Sequence, residues 1–169
     1  MSNLWFSSDL HFQHSSIIKF SKRPYANVDE MNLDLIKKWN QKVKVDDSIW
    51  FLGDFSFKDG DRFFHQLNGR KHLIIGNHDG DKVRDLPWES QEIYSELEVP
   101  DKTGKKHRLV LFHYPIEEFN GFYKGAIHLH GHVHGKKMLP IKKRVDVAVE
   151  CHGYAPVSFE KILELTGSL

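Results

Sequence analysis

Five short apolar runs are spaced along the chain, and they predict buried β-strands. Each is rich in β-branched, aromatic and aliphatic residues, and each is too short to predict a helix. The runs are NLWFSS, DSIWFLG, KHLIIG, HRLVLFH and AIHLHG. Polar residues and glycine follow each run, so the sequence marks where each strand ends.

The segments outside these runs predict two amphipathic helices. Residues 27–43 repeat an apolar residue every four positions, and Asn27 with Glu30 three residues later forms a capping box. Residues 59–70 carry acidic residues in the first turn, an apolar face and an Asn-Gly stop. The last apolar segment, 155–165, is compatible with a strand that turns into a helix, and its pattern does not separate the two.

The composition is that of an ordinary globular protein, and it disfavours a disulfide-rich, membrane-spanning or strongly basic nucleic-acid-binding protein. The 169 residues fit one domain over 1–169, and the formal net charge of +1 does not indicate bulk nucleic-acid binding. The lone cysteine, Cys151, excludes an internal disulfide framework and is expected to be a small buried residue. Without a signal-peptide pattern or an apolar run near roughly 18 residues, we expect a cytoplasmic protein with no membrane contact.

Side chains that can bind a metal follow every predicted strand. In chain order they are Asp9, His11, Asp54, Asn77, His78, Asp79, His113, His132 and His134. Because α/β proteins place their sites outside the carboxyl ends of strands, we expect these side chains at one edge of the sheet. Side chains at positions i and i+2 share a face in extended backbone, so the Asp9/His11 and His132/His134 pairs can each hold one centre.

The ligand types narrow the kind of site. Carboxylate, imidazole and amide oxygen ligands without a thiolate favour an open catalytic site for Mn²⁺, Fe or Zn²⁺ over a closed structural zinc site. The stretch AIHLHGHVHG places histidine at every second position from His128 to His134, with Gly131 and Gly135 between and after them. We expect His128 and His130 to lie along the strand or to orient a ligand, rather than to bind metal.

These motifs together resemble those of the small, single-domain calcineurin-like metallophosphoesterases. The matching blocks span 9–134 and are Asp9-x-His11, Gly53-Asp54, Gly76-Asn77-His78-Asp79, His113 and Gly131-His132-x-His134. The resemblance implies an α/β fold, a four-layer α/β/β/α sandwich with two mixed β-sheets, around two divalent metal ions.

The resemblance also implies a role for each residue of these blocks. It gives the first metal the ligands Asp9, His11 and His134. It gives the second metal the ligands Asn77, His113 and His132. Asp54 would bridge both ions, His78 would be the general acid, and Asp79 would orient His78. Mn²⁺ is the favoured metal, with Fe, Zn²⁺ and Ni²⁺ as alternatives.

The expected reaction is phosphodiester hydrolysis by in-line attack of a hydroxide that bridges the two metals. Two ions can neutralise the charge of a phosphoester, and a carboxylate with two oxygens is the natural bridge between them. Two alternatives stay open on the same residues: a phosphomonoesterase, including a protein-phosphatase-like one, and a non-catalytic metal-binding scaffold. A third is nucleic-acid processing in which the basic segment 136–144 follows a backbone, with a steep salt dependence as its signature.

The substrate contacts are less determined by the sequence. The expected partner is a phosphoester, with nucleotides among the candidates, and the oligomeric state is left open. Within residues 11–25, His14 and Arg23 can fold over the phosphate, and a solvated arginine is the equal alternative. For Tyr114 and the pair 122–123, core packing is favoured over stacking on a substrate.

Overall fold

The computed structural model describes residues 3–168 and contains two β-sheets with few helices. The strands are β1 Leu4–Ser7, β2 Ser48–Phe51, β3 Arg70–Ile74, β4 Ser90–Glu92, β5 Tyr94–Pro100, β6 Lys106–Phe112, β7 Ile127–His130, β8 Arg144–Asp146 and β9 Val157–Ser158. The helices are α1 Ser15–Phe20, α2 Val28–Lys42, α3 Gly60–Phe64, α4 Asp81–Arg84 and α5 Phe159–Leu165. Two 3₁₀ turns cover Phe122–Lys124 and Val149–His152.

Both sheets are mixed, which confirms the predicted α/β class with two mixed sheets. The first has the order β4-β3-β2-β1-β9, with β1 to β4 parallel and β9 antiparallel to β1. The second has the order β5-β6-β7-β8, with β5 antiparallel to β6 and the remaining strands parallel. Because most strands run in one direction within each sheet, their carboxyl ends meet at common edges.

The core explains why the strands read as unbroken apolar runs. Along the β2 run, Ile49 and Phe51 pack toward α2 and α3, whereas Trp50 and Leu52 pack toward the second sheet. Side chains alternate across a strand, so a sheet covered on both faces needs apolar residues at every position. The outer face of the second sheet is covered more thinly, by residues 116–126 over Val110.

The strongest helix prediction is confirmed. Helix α2 begins after Asn27, whose side chain accepts a hydrogen bond from the Glu30 backbone N–H at 2.9 Å. The Glu30 carboxylate in turn accepts the N–H of Ala26, the residue before the cap, at 2.8 Å, so the two side chains bond to each other's side of the helix start. The predicted apolar stripe of the helix is buried against the first sheet.

Other elements differ from the expectation. Helix α3 ends at Phe64, before the predicted Asn-Gly stop, and the chain continues in turns, with Gln66 N bonded to Phe63 O and Leu67 N to Phe64 O, until Gly69 (φ +93°) leads into β3. The 155–165 segment is both a strand and a helix, β9 and then α5. Cys151 is exposed, which corrects the expectation that it is buried. None of the helices within residues 3–168 is long and apolar enough to cross a membrane.

Candidate metal centre

The side chains predicted to bind metal lie together at the carboxyl ends of parallel strands from both sheets. Asp9 and His11 follow β1, Asp54 follows β2, Asn77 follows β3, His113 follows β6, and His132 and His134 follow β7. Parallel strands from two packed sheets therefore deliver their end residues to one place. The predicted convergence is present, although it involves the edges of two sheets rather than one.

The backbone at these positions is not extended, which corrects the expectation for the i, i+2 pairs. Five of the residues have left-handed backbone: Asp9 (φ 58°), His11 (φ 52°), Asp54 (φ 63°), His132 (φ 71°) and His134 (φ 52°). Residues with a side chain rarely adopt this conformation, and such strain clusters at functional sites. Backbone hydrogen bonds from Asp9 N to Gly53 O (2.9 Å) and from His11 N to Asp54 O (3.0 Å) hold the first turn in place.

Two glycines in the motifs are required by close packing. A Cβ on Gly53 would lie 2.6 Å from the backbone of Gly76, and Gly53 also has a φ of +95°. A Cβ on Gly131 would collide with the carboxylate of Asp9 and the side chain of Ser8. These glycines let the loops after neighbouring strands approach each other closely enough for their side chains to meet.

The first candidate cation position lies between Asp9, His11 and His134. The Oδ1 atom of Asp9 lies 3.7 Å from His11 Nε2 and 3.5 Å from His134 Nε2. Both Asp9 Oδ1 and His11 Nε2 are buried without a hydrogen-bond partner among the residues described. Buried polar atoms that face each other unpaired are costly, and a shared cation would satisfy them.

The second candidate position lies between Asp54, His113 and His132. The Oδ2 atom of Asp54 is 3.7 Å from His113 Nε2 and 3.5 Å from His11 Nε2, so this carboxylate stands between the two groups. The amide oxygen of Asn77 is 2.9 Å from His113 Nε2 and 3.0 Å from His132 Nδ1. The donor set of carboxylate, imidazole and amide oxygen fits a pair of divalent ions that share Asp54.

Hydrogen bonds behind the rings turn their second nitrogens toward this centre. The Nδ1 of His113 is 2.7 Å from the carbonyl oxygen of Leu52, and the Nδ1 of His134 is 2.9 Å from Glu150 Oε1. Such contacts fix the tautomer and the ring orientation of a metal ligand. Sequence reasoning missed Glu150; its signal is an acidic residue in the otherwise apolar stretch after β8, where it lies inside the 3₁₀ turn Val149–His152.

Arg23 is buried behind the site and does not reach over it, which corrects the expectation of a phosphate contact. Its guanidinium donates to Glu150 at 2.7 and 2.9 Å and to the backbone oxygens of Asp9 (2.6 Å) and Leu10 (2.8 Å). The Arg23 side chain is 0% exposed. It therefore braces the left-handed turn after β1 rather than binding a substrate.

Asp79 also has a different place from the one expected. Its carboxylate accepts backbone N–H groups of Asp54 (2.9 Å), Phe55 (2.9 Å) and Gly76 (2.8 Å). Burial raises the pKa of Asp79, and these three hydrogen bonds oppose the rise without cancelling it. Asp79 thus joins the loops after β2 and β3, and no hydrogen bond between it and the His78 ring is present among the residues described.

His78 lies at the exposed rim of the centre. Its backbone N–H donates to Asp54 Oδ1 at 2.9 Å, and its ring centroid is 5.7 Å from that of His11. The ring is exposed to solvent, so a substrate that approaches the two metal positions can contact it.

The charges of the site favour a cation. Burial alone would raise the pKa of Asp9, but the neighbouring imidazoles of His11 and His134 hold it well below its usual range. Burial alone would lower the pKa of His134, but Glu150 and Asp9 raise it. Ionised carboxylates therefore persist in a buried place, where positive charge is stabilised.

The structure also places five further residues that the sequence analysis singled out. His14 lies at the site, with its Nδ1 3.4 Å from His11 Nδ1 and its ring stacked on exposed Phe57 at 4.7 Å. Tyr114 is 38% exposed and Tyr123 is 82% exposed, which corrects the expectation that they are core residues. The strand histidines of β7, His128 and His130, are buried and bond to backbone oxygens, as expected for neighbours of the site.

Comparison with known proteins finds relatives whose names state no activity. No protein-family model matches the chain. The chain is 33% identical over 178 residues to the uncharacterized protein MJ1445 of Methanocaldococcus jannaschii, with 98% of this chain and 92% of the archaeal protein covered. It is 34% identical over 163 residues to the gene 66 protein of Mycobacterium phage D29, with 80% of each covered.

Solved structures extend the comparison. The protein of unknown function AQ665 from Aquifex aeolicus aligns with a TM-score of 0.79 and 26% identity, covering 98% of this chain and 100% of that one. A novel archaeal phosphodiesterase aligns with a TM-score of 0.48 and 18% identity, covering 90% and 86% of the two chains. Vacuolar protein sorting 29 from Cryptosporidium parvum aligns with a TM-score of 0.45 and 12% identity, covering 87% and 72%. Likenesses as distant as the last two carry no argument, so function has to be inferred from the site.

Proposed function

The chain belongs to the family of the Methanocaldococcus jannaschii protein MJ1445, and within that family we propose that it is a metal-dependent phosphoesterase that hydrolyses phosphodiesters. One observation carries the proposal: two groups of ligand side chains share Asp54 between them. The unpaired buried atoms Asp9 Oδ1 and His11 Nε2 support it, because a cation between them would satisfy both.

The residues suit two divalent ions, with Mn²⁺ as the first choice. Asp9, His11 and His134 would hold one ion, Asn77, His113 and His132 the other, and Asp54 both. Ions bound there would neutralise the charge of a phosphoester and make water a nucleophile near neutral pH. The ligand set contains no thiolate, which disfavours a closed structural zinc site.

His78 is suited to contact the leaving group. Its backbone N–H is tied to Asp54, so the ring stays beside the shared carboxylate while remaining exposed. An imidazole can donate a proton near neutral pH to a departing alkoxide. His14, next to His11 and half-open to solvent, is a second side chain that can meet the ester.

The burial of Arg23 favours a diester over a monoester. A monoester dianion carries a second negative charge that a nearby guanidinium commonly meets with two hydrogen bonds. Arg23, the arginine next to the first metal position, has its donors directed to Glu150 and to backbone oxygens. A diester with one charge makes no such demand on the site.

A metal titration with a paired substrate test decides the proposal. Protein stripped with chelator is titrated with Mn²⁺ while hydrolysis of an aryl phosphodiester and of the matching aryl monoester is followed. We expect diester hydrolysis that saturates near two equivalents of metal. If only the monoester is cleaved, the protein is a phosphomonoesterase and the diester proposal is wrong. If neither substrate is cleaved with Mn²⁺, Zn²⁺, Ni²⁺ or Fe²⁺, the proposed enzymatic activity is wrong.

Two variants separate the roles within the site. Asp54→Ala should lose metal and activity together, because both positions use this carboxylate. His78→Ala should retain the metal and lose rate mainly with poor leaving groups, which need a proton most. If His78→Ala strips the metal instead, the role of His78 at the leaving group is wrong.

A further inference from the structure

A basic groove opens at the end of the second sheet opposite the metal ligands. Its volume is about 350 Å³. It lies at the amino ends of β6, β7 and β8, whereas the ligand residues follow the carboxyl ends of β6 and β7. Cations from three separate parts of the chain line it, namely Lys105, Lys106, Arg108, Lys124 and Lys143.

Little negative charge balances these cations. Within residues 3–168, Glu98 is the single acidic side chain that lines the groove, and it already lies 3.3 Å from Arg108 and 4.0 Å from Lys106. Lys143 donates to the carbonyl oxygen of Gly125 at 3.3 Å, and no carboxylate within residues 3–168 pairs with Lys143 or Lys124. Like charges gathered in this way repel one another, and an anionic ligand would relieve the repulsion.

The segment 135–143 links the groove to the metal centre. At its start, Gly135 N donates to Asp146 Oδ2 at 2.8 Å, at the carboxyl end of β8. At its end, Lys143 reaches Gly125 at the amino end of β7. The segment therefore returns along β8, the edge strand of the second sheet, and carries three further lysines: Lys136, Lys137 and Lys142.

An exposed aromatic ring neighbours the groove lysine Lys124 along the chain, with its hydroxyl donating to Glu118 at 3.2 Å. Tyr123 is 82% exposed and directly precedes Lys124 in the 3₁₀ turn. Exposed aromatic rings beside a basic track are the combination by which proteins bind single strands, since bases stack on the ring and phosphates meet the lysines. A single nucleotide would use one end of this track, whereas a strand would use its whole length.

We propose that the groove and the 135–143 segment bind the backbone of a single-stranded polynucleotide, one of whose phosphodiester bonds lies at the metal centre. This inference rests on the proposed phosphodiesterase function and names its substrate class. The four residues of β7 separate the groove from the ligand loop by about 13 Å, a reach of a few nucleotides.

The binding test compares two pairs of charge variants. Anisotropy of a labelled 12-nucleotide phosphorothioate strand is measured on the metal-loaded protein across a salt series. Lys124→Gln with Lys143→Gln removes two groove cations, and Lys42→Gln with Lys44→Gln removes two exposed lysines at the far end of α2 as a matched control. At about 0.7 per phosphate contact, the groove pair should lower the slope of log K against log salt by about 1.4 and weaken binding roughly 20-fold at 0.1 M salt.

Tyr123→Ala provides a test of stacking that leaves the charge unchanged. It should lower the affinity for the strand by about fivefold or more without altering the slope of log K against log salt. Hydrolysis of the small aryl diester should be the same in all these variants, since none of the changed residues lies at the metal centre. The KM for an ordinary 12-nucleotide strand should rise in the groove pair, whereas the KM for a dinucleotide should not.

The outcomes distinguish this inference from the proposed function. The inference is wrong if the groove pair and the control pair lose the same affinity for the strand, or if the groove pair loses none. This holds even if the aryl diester is cleaved. The inference is also wrong if a free nucleotide displaces the labelled strand as effectively as an unlabelled strand does, because the groove would then be a site for one phosphate group. If the strand binds through the groove but the protein hydrolyses no substrate, the groove is confirmed as a polynucleotide-binding site and the proposed phosphodiesterase function is wrong.

Discussion

Replacing Glu150 with alanine is the most informative perturbation of the site, since this residue contacts a metal-facing histidine and a buried arginine at once. Glu150 Oε1 lies 2.9 Å from His134 Nδ1 and 2.7 Å from Arg23 Nη2. Burial alone would raise the pKa of Glu150, but His134 and Arg23 hold it below its usual range, so the group is an anion. Glu150→Ala therefore removes an acceptor and a charge together.

The size of the effect follows from burial. The side chains of Arg23 and Glu150 are 0% and 9% exposed, and loss of one partner from a buried pair costs about 3–5 kcal/mol of unfolding free energy. Arg23 keeps its bonds to the backbone oxygens of Asp9 and Leu10, which favours the lower end. Loss of the contact behind a ligand histidine weakens metal binding about 10–100-fold. Glu150→Gln retains the acceptor oxygen for His134 but loses the charge that pairs with Arg23. Its metal affinity should therefore stay close to that of the wild type, while its unfolding free energy should fall.

Urea unfolding of the metal-free protein and calorimetric titration with Mn²⁺ measure the two effects separately. Glu164→Ala is the matched control, since Glu164 pairs with Lys161 at 2.8 Å on the exposed surface. It should change stability by less than about 1 kcal/mol and leave metal binding unchanged. Mn²⁺ affinity within twofold of the wild type in Glu150→Ala would refute the positioning of His134, whatever happens to stability.

Other contacts give sharp expectations. Asp79→Ala leaves three backbone donors unpaired and should lower the unfolding free energy by about 3 kcal/mol or more in urea; a loss below 1 kcal/mol would contradict the bracing role. Burial lowers the pKa of His128 from 6.5 to about 4, so the unfolded chain binds the proton first as pH falls. Stability should therefore fall by about 3 kcal/mol between pH 6.5 and pH 4, and this part of the pH dependence should be missing in His128→Phe. Gly131→Ala, whose Cβ would collide with Asp9, should lower the Mn²⁺ stoichiometry seen by calorimetry; two ions bound with wild-type affinity would show that the loop can shift.

The sequence was sufficient where the signal is local. The apolar runs predicted five of the strands, and the capping residues predicted α2 within one residue of its bounds. The three strands it missed are of a different kind: β5 alternates exposed and half-buried residues at a sheet edge, and β4 and β8 are three residues long with none fully buried. None of the three has the unbroken apolar pattern that a strand covered on both faces requires.

The sequence by itself also determined which residue types stand at the ends of the strands, and hence that a cation site without thiolate ligands is the chemistry to expect. Only the tertiary structure decided what supports that site. Arg23 pairs with Glu150 across 127 positions of the chain, and Asp79 collects N–H groups from the loops after two strands. The same is true of the backbone, since the turns that aim Asp9 and His134 are left-handed and are held by packing between sheets. Periodicity and spacing describe neighbours along the chain, whereas burial of a charge is resolved by whichever partner the fold brings near.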